Sequence, residues 1–174
     1  MALNLSLFID FMSKRVHIFP HQASLRGSDI FNPTETQIAT TPLLSPHLEL
    51  SGVKVLIVDD CEENQFLFSH LLKRKGAVIT TADNGKTAVE KALCEHFDII
   101  LMDIQMPVMN GYEAITLLKK ANCLIPVIAV TAQSSAEEKS KILEAGFSFY
   151  VSKPLDKDAL IQSISHLVEK QKKS

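Results

Sequence analysis

This chain of 174 residues is short of cysteine, of excess charge and of long apolar runs, and each shortage excludes a class of protein. Cys61, Cys94 and Cys123 are an odd number at wide spacing, with no CxxC pair. That argues against a disulfide framework or a zinc site and fits a reducing cytoplasm. No apolar run approaches the ~20 residues of a membrane span. The opening MALNLSLFIDFMSKRV has no basic residues ahead of its apolar stretch and carries Asp10 inside it. It is a poor secretory signal and reads as an amphipathic helix or the remnant of something preceding. With 18 basic against 20 acidic side chains the net charge is -2, so the basic footprint of a nucleic-acid binder is missing and no direct contact with DNA or RNA is expected. The short basic clusters, Lys73-Arg74-Lys75 and Lys170 to Lys173, read as solvated helix ends where cations suit the macrodipole. The six histidines are scattered without ligand spacing and take surface or packing roles.

What the chain does have is 46% apolar residues, enough for a core of its own. Its texture changes near residue 52. The first part holds four of the seven prolines, and Asn32 to Ser51 is rich in Thr, Pro and Ser and sustains no period. The expected organisation is an extension at 1–26, a flexible linker at 27–52, a domain at 53–170 and a tail at 171–174. Strands are expected at Val53–Val58, Ala77–Thr81, Asp98–Met102, Pro126–Val130 and Phe147–Val151, all short apolar runs. Helices are expected at Glu62–Lys75, Asn84–Cys94, Gly111–Ala121, Ser135–Ala145 and Asp156–Lys170, with Gly76 and Gly146 as stops. Strict alternation of this kind implies a parallel sheet with right-handed crossovers, whose ligands bind beyond the carboxyl ends of the strands.

Those ends carry the polar residues. The first strand runs into Asp59-Asp60, the third into Asp103, the fourth into Thr131 and the fifth into Lys153-Pro154. Two carboxylates ~4 Å apart repel by about 4 kcal/mol at an effective dielectric of about 20, so three together call for a cation. Carboxylates without imidazole or thiolate select a hard ion that keeps several waters, which is Mg²⁺. Mg²⁺ beside a lysine and a threonine hydroxyl suits a phosphoryl group under attack by a carboxylate. The set reads as an aspartate that becomes phosphorylated.

The segments VLIVDD, LMDIQMPVMNGYEA, AVTA and FYVSKP, in this order and on these elements, resemble the receiver domain of two-component response regulators. The resemblance covers Val53 to about Lys170. It implies an α/β, flavodoxin-like, doubly wound five-stranded parallel sheet of order 2-1-3-4-5 with five flanking helices. It also implies that Asp103 is the phosphoacceptor and that Asp60, Asp103 and the backbone carbonyl of Gln105 hold Mg²⁺, with Asp59 acting through water. Thr131 corresponds to the switch hydroxyl, Tyr150 to the switch aromatic, and Lys153 to the phosphate-binding lysine before a cis Pro154. The wording MDIQMPVMNGYEA, with ENQ in the first helix, is similar to receivers attached to hybrid histidine kinases.

Such a module takes a phosphoryl group from a phosphohistidine and changes its binding surface, catalysing only its own modification. A haloacid-dehalogenase-type phosphatase is a second reading, but VDDCE lacks the DxD motif that it needs. A docking protein without chemistry is a third, disfavoured because the acids, Thr131 and Lys153 are all present. Residues 1 to 52 contain no kinase His box or ATP lid, so a stand-alone receiver and a fragment of a hybrid kinase both remain open, as does the oligomeric state.

On the first helix Leu67, Phe68, Leu71 and Leu72 are expected to form the core stripe, leaving Glu62, Gln65, Phe66 and Ser69 on another face. The resemblance implies that a histidine kinase or histidine phosphotransfer protein docks there, with Pro154 and Leu155 alongside. Cys61 is expected to be a small helix-start residue, Met102 to lie in the core, and Met106 and Met109 to pack the loop after the third strand.

Overall fold

The computed structural model describes residues 49–132 and 135–173. The extension expected at 1–26, and the linker as far as residue 48, lie outside them. Strand and helix alternate throughout: β1 (Lys54–Val58), α1 (Glu62–Lys73), β2 (Val78–Ala82), α2 (Gly85–Cys94), β3 (Ile99–Asp103), α3 (Gly111–Lys120), β4 (Val127–Thr131), α4 (Ala136–Ala145), β5 (Phe149–Ser152) and α5 (Lys157–Lys172). The strands pair in parallel in the order β2-β1-β3-β4-β5. This is the doubly wound, flavodoxin-like architecture implied by the motifs.

Burial explains the strand sequences. Every residue of IILMD in β3 and VIAVT in β4 is buried, because helices cover both faces of the central sheet. The edge strands β2 and β5 are half exposed and tolerate Thr80, Thr81 and Ser152. Successive strand residues point to opposite faces. Val55 and Ile57 join Phe68, Leu72, Leu160 and Ile164 beneath α1 and α5, while Leu56 and Val58 join Ala88, Val89, Ala114, Leu118 and Ile142 beneath α2, α3 and α4.

The helix starts are written locally. Asn84, Ser135 and Asp156 accept backbone N–H groups of the first turn. Asn110 and Glu113 form a reciprocal capping box that fixes the start of α3. Cys61 occupies the position before α1 with no side-chain cap.

Several expectations need correction. Leu67 is 46% exposed and not part of the core; Phe68 and Leu72, four residues apart, are the buried pair, since α1 meets the sheet along a narrow stripe. The domain begins before Val53. Leu50 is fully buried, its N–H donates to the Lys75 carbonyl at 2.9 Å, and Gly52 N–H donates to the Gly76 carbonyl at 3.0 Å. The segment before β1 is thus sewn to the turn between α1 and β2. At the other end α5 continues to Lys172, so the first two residues of the expected tail are helix. Phe147 precedes β5, buried, with its ring edge-on to Tyr112 at 6.1 Å.

Replacing Leu50 by alanine leaves a cavity in a closed core and should cost about 2 to 5 kcal/mol, read from the urea unfolding midpoint. A loss under about 0.5 kcal/mol would return the domain boundary to Val53.

Candidate functional site

Parallel register brings the acids together. Val58 pairs with Met102, so the residues that follow them in the chain, Asp59 and Asp103, stand side by side at the carboxyl edge of the sheet. Carboxylate oxygens of Asp59, Asp60 and Asp103 lie within 4.8 Å of one another. Asp59 and Asp103 are buried, whereas Asp60 is exposed.

Lys153 balances this cluster only in part. Its ammonium lies 2.6 Å from Asp103 Oδ2 and 3.2 Å from Asp59 Oδ2. Its backbone is anchored just after β5, where Lys153 N–H donates to the Thr131 carbonyl at 2.8 Å, and the following bond to Pro154 is cis. The remaining acceptor sites of Asp59 take the amide of Asn64 at 3.0 and 3.1 Å and the N–H of Cys61 at 3.0 Å. Asp103 Oδ1 accepts the N–H of Gln105 at 3.1 Å.

Burial pushes the Asp103 carboxyl above its ordinary value of 3.8, and the charge of Asp59 acts in the same direction. The hydrogen bond and charge of Lys153 and the Gln105 N–H pull it down without prevailing. Burial also disfavours the Lys153 ammonium, but the hydrogen bonds and charges of Asp103 and Asp59 outweigh it, leaving Lys153 above its ordinary value of 10.5. Three carboxylates face one ammonium, so the pocket holds more negative charge than one lysine neutralises. Three carboxylates with no nitrogen or sulfur donor, one of them open to water, match a hard, partly hydrated divalent ion such as Mg²⁺.

Around this cluster sit the other residues singled out in the sequence. Gln105 is exposed and lines the same cleft as Asp60. Thr131 is buried at the end of β4. Tyr150 pairs with Ala129, two residues before Thr131, and is half buried. Its ring stacks on Phe149 at 5.7 Å, with the Lys139 ammonium 5.5 Å above it. Met102 is fully buried, Met106 is buried in the same core, and Met109 packs against it.

Gly111 lets α3 approach, because a Cβ there would sit 2.6 Å from the Asp103 carbonyl oxygen. A side chain would push the helix away from the strand that carries Asp103.

A model of the response regulator receiver domain matches residues 55–165. The chain belongs to this family. Sensor histidine kinase RcsC of Escherichia coli is 36% identical over 120 residues, spanning 69% of this chain but only 13% of RcsC. The receiver domain of sensor histidine kinase PA1611 from Pseudomonas aeruginosa, with magnesium coordinated in its active-site cleft, is 29% identical with a TM-score of 0.64, covering 68% of this chain and 99% of that one. The receiver domain of Ssk1 from Saccharomyces cerevisiae, in complex with the histidine phosphotransfer protein Ypd1, is 29% identical with a TM-score of 0.66, covering 70% and 92%. No helix among the described residues of this receiver is long and apolar enough to cross a membrane.

On α1 of the receiver, Glu62 and Phe66 are exposed, Phe66 at 74%, and Ser69 is half buried. Pro154 is exposed and Leu155 packs partly against the core. Gln65 differs from the expected free face: its amide donates to the carbonyls of Asp59 at 2.7 Å and Ala82 at 3.3 Å, clamping the ends of β1 and β2. The sequence reading missed the role of Asn64 as an anchor of Asp59. The available signal was its place in the first turn of α1, right after Asp59-Asp60. It also missed the bond from Tyr112 Oη to Glu138 Oε1 at 2.7 Å, which joins α3 to α4 across 26 positions and has no local signature.

The raised Asp103 value carries a sign. The folded domain binds the Asp103 proton more tightly than the unfolded chain, so the ionised carboxylate destabilises the fold above its folded value and not below about 3.8. In Mg²⁺-free buffer near neutral pH, Asp103→Asn should therefore stabilise the domain, since Lys153 keeps Asp59 as a partner. The gain should shrink as pH falls through the raised Asp103 value, and urea titrations across the acid range read it directly. A gain that grows on acidification contradicts the assignment.

Proposed function

We propose that this receiver is a phosphoacceptor module of a two-component phosphorelay in the cytoplasm. It takes a phosphoryl group from a phosphohistidine onto Asp103 with Mg²⁺ and switches its protein-binding surface. The observation that carries this reading is the contact of Lys153 with Asp103 at 2.6 Å and Asp59 at 3.2 Å, inside a cluster of three carboxylates. A structural ion pair needs one acid; this lysine meets two, a third stands beside them, and the cluster stays electrically unbalanced.

Asp60, Asp103 and the backbone carbonyl of Gln105 would hold the metal, with Asp59 acting through water. Mg²⁺ supplies charge neutralisation for the phosphoryl oxygens next to an otherwise repulsive carboxylate. A carboxylate oxygen of Asp103 attacks phosphorus in line while the phosphorus–nitrogen bond to the donor breaks. Lys153 exchanges its bond to Asp103 for one to a phosphoryl oxygen. Thr131, at the end of the adjacent strand, donates its hydroxyl to another phosphoryl oxygen. Its shift opens space toward Tyr150, two register positions back, and the ring follows. The surface of α4, β5 and α5 then changes, with Phe149, 42% exposed, upon it. The domain has no turnover substrate and catalyses only its own phosphorylation and dephosphorylation.

The donor is a histidine kinase or a histidine phosphotransfer protein, a reading supported by the Ypd1 complex of the Ssk1 receiver. Its docking surface is the exposed part of α1, with Phe66 as anchor, Glu62 and Ser69 beside it, and Pro154 and Leu155 at the rim. Gln65 contributes by holding the base of that surface.

Incubation with phosphoramidate and Mg²⁺ should add one phosphoryl mass to the wild type and none to Asp103→Asn. Wild-type labelling of the variant at the same rate removes Asp103 from the role. Phe66→Ala should slow transfer from the cognate phosphohistidine protein by about fivefold to thirtyfold, the effect of losing an interface anchor of ~1 to 2 kcal/mol, while leaving phosphoramidate labelling unchanged. Equal rates from the protein donor would take Phe66 out of the interface.

A further inference from the structure

Beside the acid cluster lies a cleft of about 630 Å³, lined among others by Asp60, Gln105, Asn110, Tyr112 and Glu138. It shares Asp60 and Gln105 with the proposed metal-binding set, so it opens beside that set and has room for the part of a donor that departs. Among the described residues that line it there is no lysine, arginine or histidine. The charge of Asp60 is offset once a metal is bound. That of Glu138 is not.

Glu138 is fixed in this wall. It sits in the first turn of α4, its backbone N–H donates to Ser135 Oγ, and its carboxylate accepts the Tyr112 hydroxyl at 2.7 Å. Burial, then the bond to Glu138 and its charge, push the Tyr112 phenol up to about 12, so it remains a donor through the neutral range. Tyr112 is held in turn by the edge-on ring of Phe147. An acid in the first turn of a helix suits the helix dipole and needs no other purpose. That explanation gives no reason for a tyrosine on another helix to hold the carboxylate in a cleft that Asp60 and Gln105 also line.

The two classes of small phosphoryl donor differ where this charge acts. In phosphoramidate the leaving nitrogen is protonated: the Asp103 oxygen–phosphorus bond forms, the phosphorus–nitrogen bond breaks, its electron pair stays on nitrogen, and neutral ammonia departs. In acetyl phosphate the phosphorus–oxygen bond breaks, the pair stays on oxygen, and an anionic carboxylate departs. A carboxylate beside the leaving group attracts the first and opposes the charge that develops in the second.

Resting on the phosphoacceptor reading above, we infer that Glu138, held by Tyr112, makes this cleft a leaving-group subsite that selects phosphoryl donors with a protonated nitrogen leaving group over acyl phosphates. The test is the rate of phosphoryl mass gain of the full chain in Mg²⁺ with each donor in turn. Glu138→Gln keeps an acceptor for Tyr112 and should raise the acetyl phosphate rate relative to the phosphoramidate rate by about threefold to tenfold. Glu138→Lys should move the ratio further in the same direction. In the wild type the preference should weaken as salt is added, and in Glu138→Gln it should depend on salt less. Tyr112→Phe, which releases the carboxylate to solvent, should shift the ratio as Glu138→Gln does, but by less.

An unchanged ratio in Glu138→Gln and Glu138→Lys overturns the inference. So does an equal fall with both donors, which would mark Glu138 as structural only. If neither donor modifies the wild type at Asp103, the phosphoacceptor reading has failed, and the subsite falls with it.

Discussion

The side-by-side placement of two buried carboxylates, Asp59 and Asp103, is the constraint on which the functional end of this domain depends. Like charges at such separation are unfavourable wherever water cannot screen them. Much of the nearby architecture serves to hold them there. The Asn64 amide and the Cys61 N–H bind Asp59, the Gln105 N–H binds Asp103, and Lys153 spans both. The fold tolerates this because the apolar layers below are closed, and it leaves a pocket whose residual negative charge a divalent ion would offset.

The parallel sheet is what allows such a cluster to exist. In each β-α unit the chain leaves the strand at the same edge, so residues far apart in sequence reach one rim without any long loop. Lys153 and Asp59 are separated by 94 positions yet lie 3.2 Å apart. Close approach is secured by small residues: Gly111 brings α3 against the Asp103 carbonyl, and Gly85 brings α2 against that of Met109. The helix that carries Glu138 is tied to α3 by Tyr112, so α4 is held by one polar contact as well as through the core.

Legibility varied with the range of the interaction. The apolar runs of β3 and β4 and the capping residues Asn84, Asn110, Ser135 and Asp156 are local signals, and they placed the elements to within a residue or two. The misplaced features were those whose partners lie elsewhere. Leu50 sits in a stretch of irregular composition and is buried only because the turn after α1 receives it. Leu67 has the right spacing for a core position, yet α1 packs along a stripe too narrow to cover it. Gln65 looks like a surface polar residue until the ends of β1 and β2 are brought to its amide.

The sequence by itself determined the alternation of elements, hence a parallel α/β sheet, and the collection of acids, threonine and lysine at its strand ends. Both follow from periodicity and chain order, which folding does not alter. Only the tertiary structure decided how the charges are partitioned: that Lys153 bridges Asp59 and Asp103, that burial keeps Asp103 above its ordinary value, and that Tyr112 holds Glu138 in the neighbouring cleft. Hydrogen bonds and desolvation depend on distance and on exclusion of water, and no order of residues along a chain specifies either until the sheet has closed.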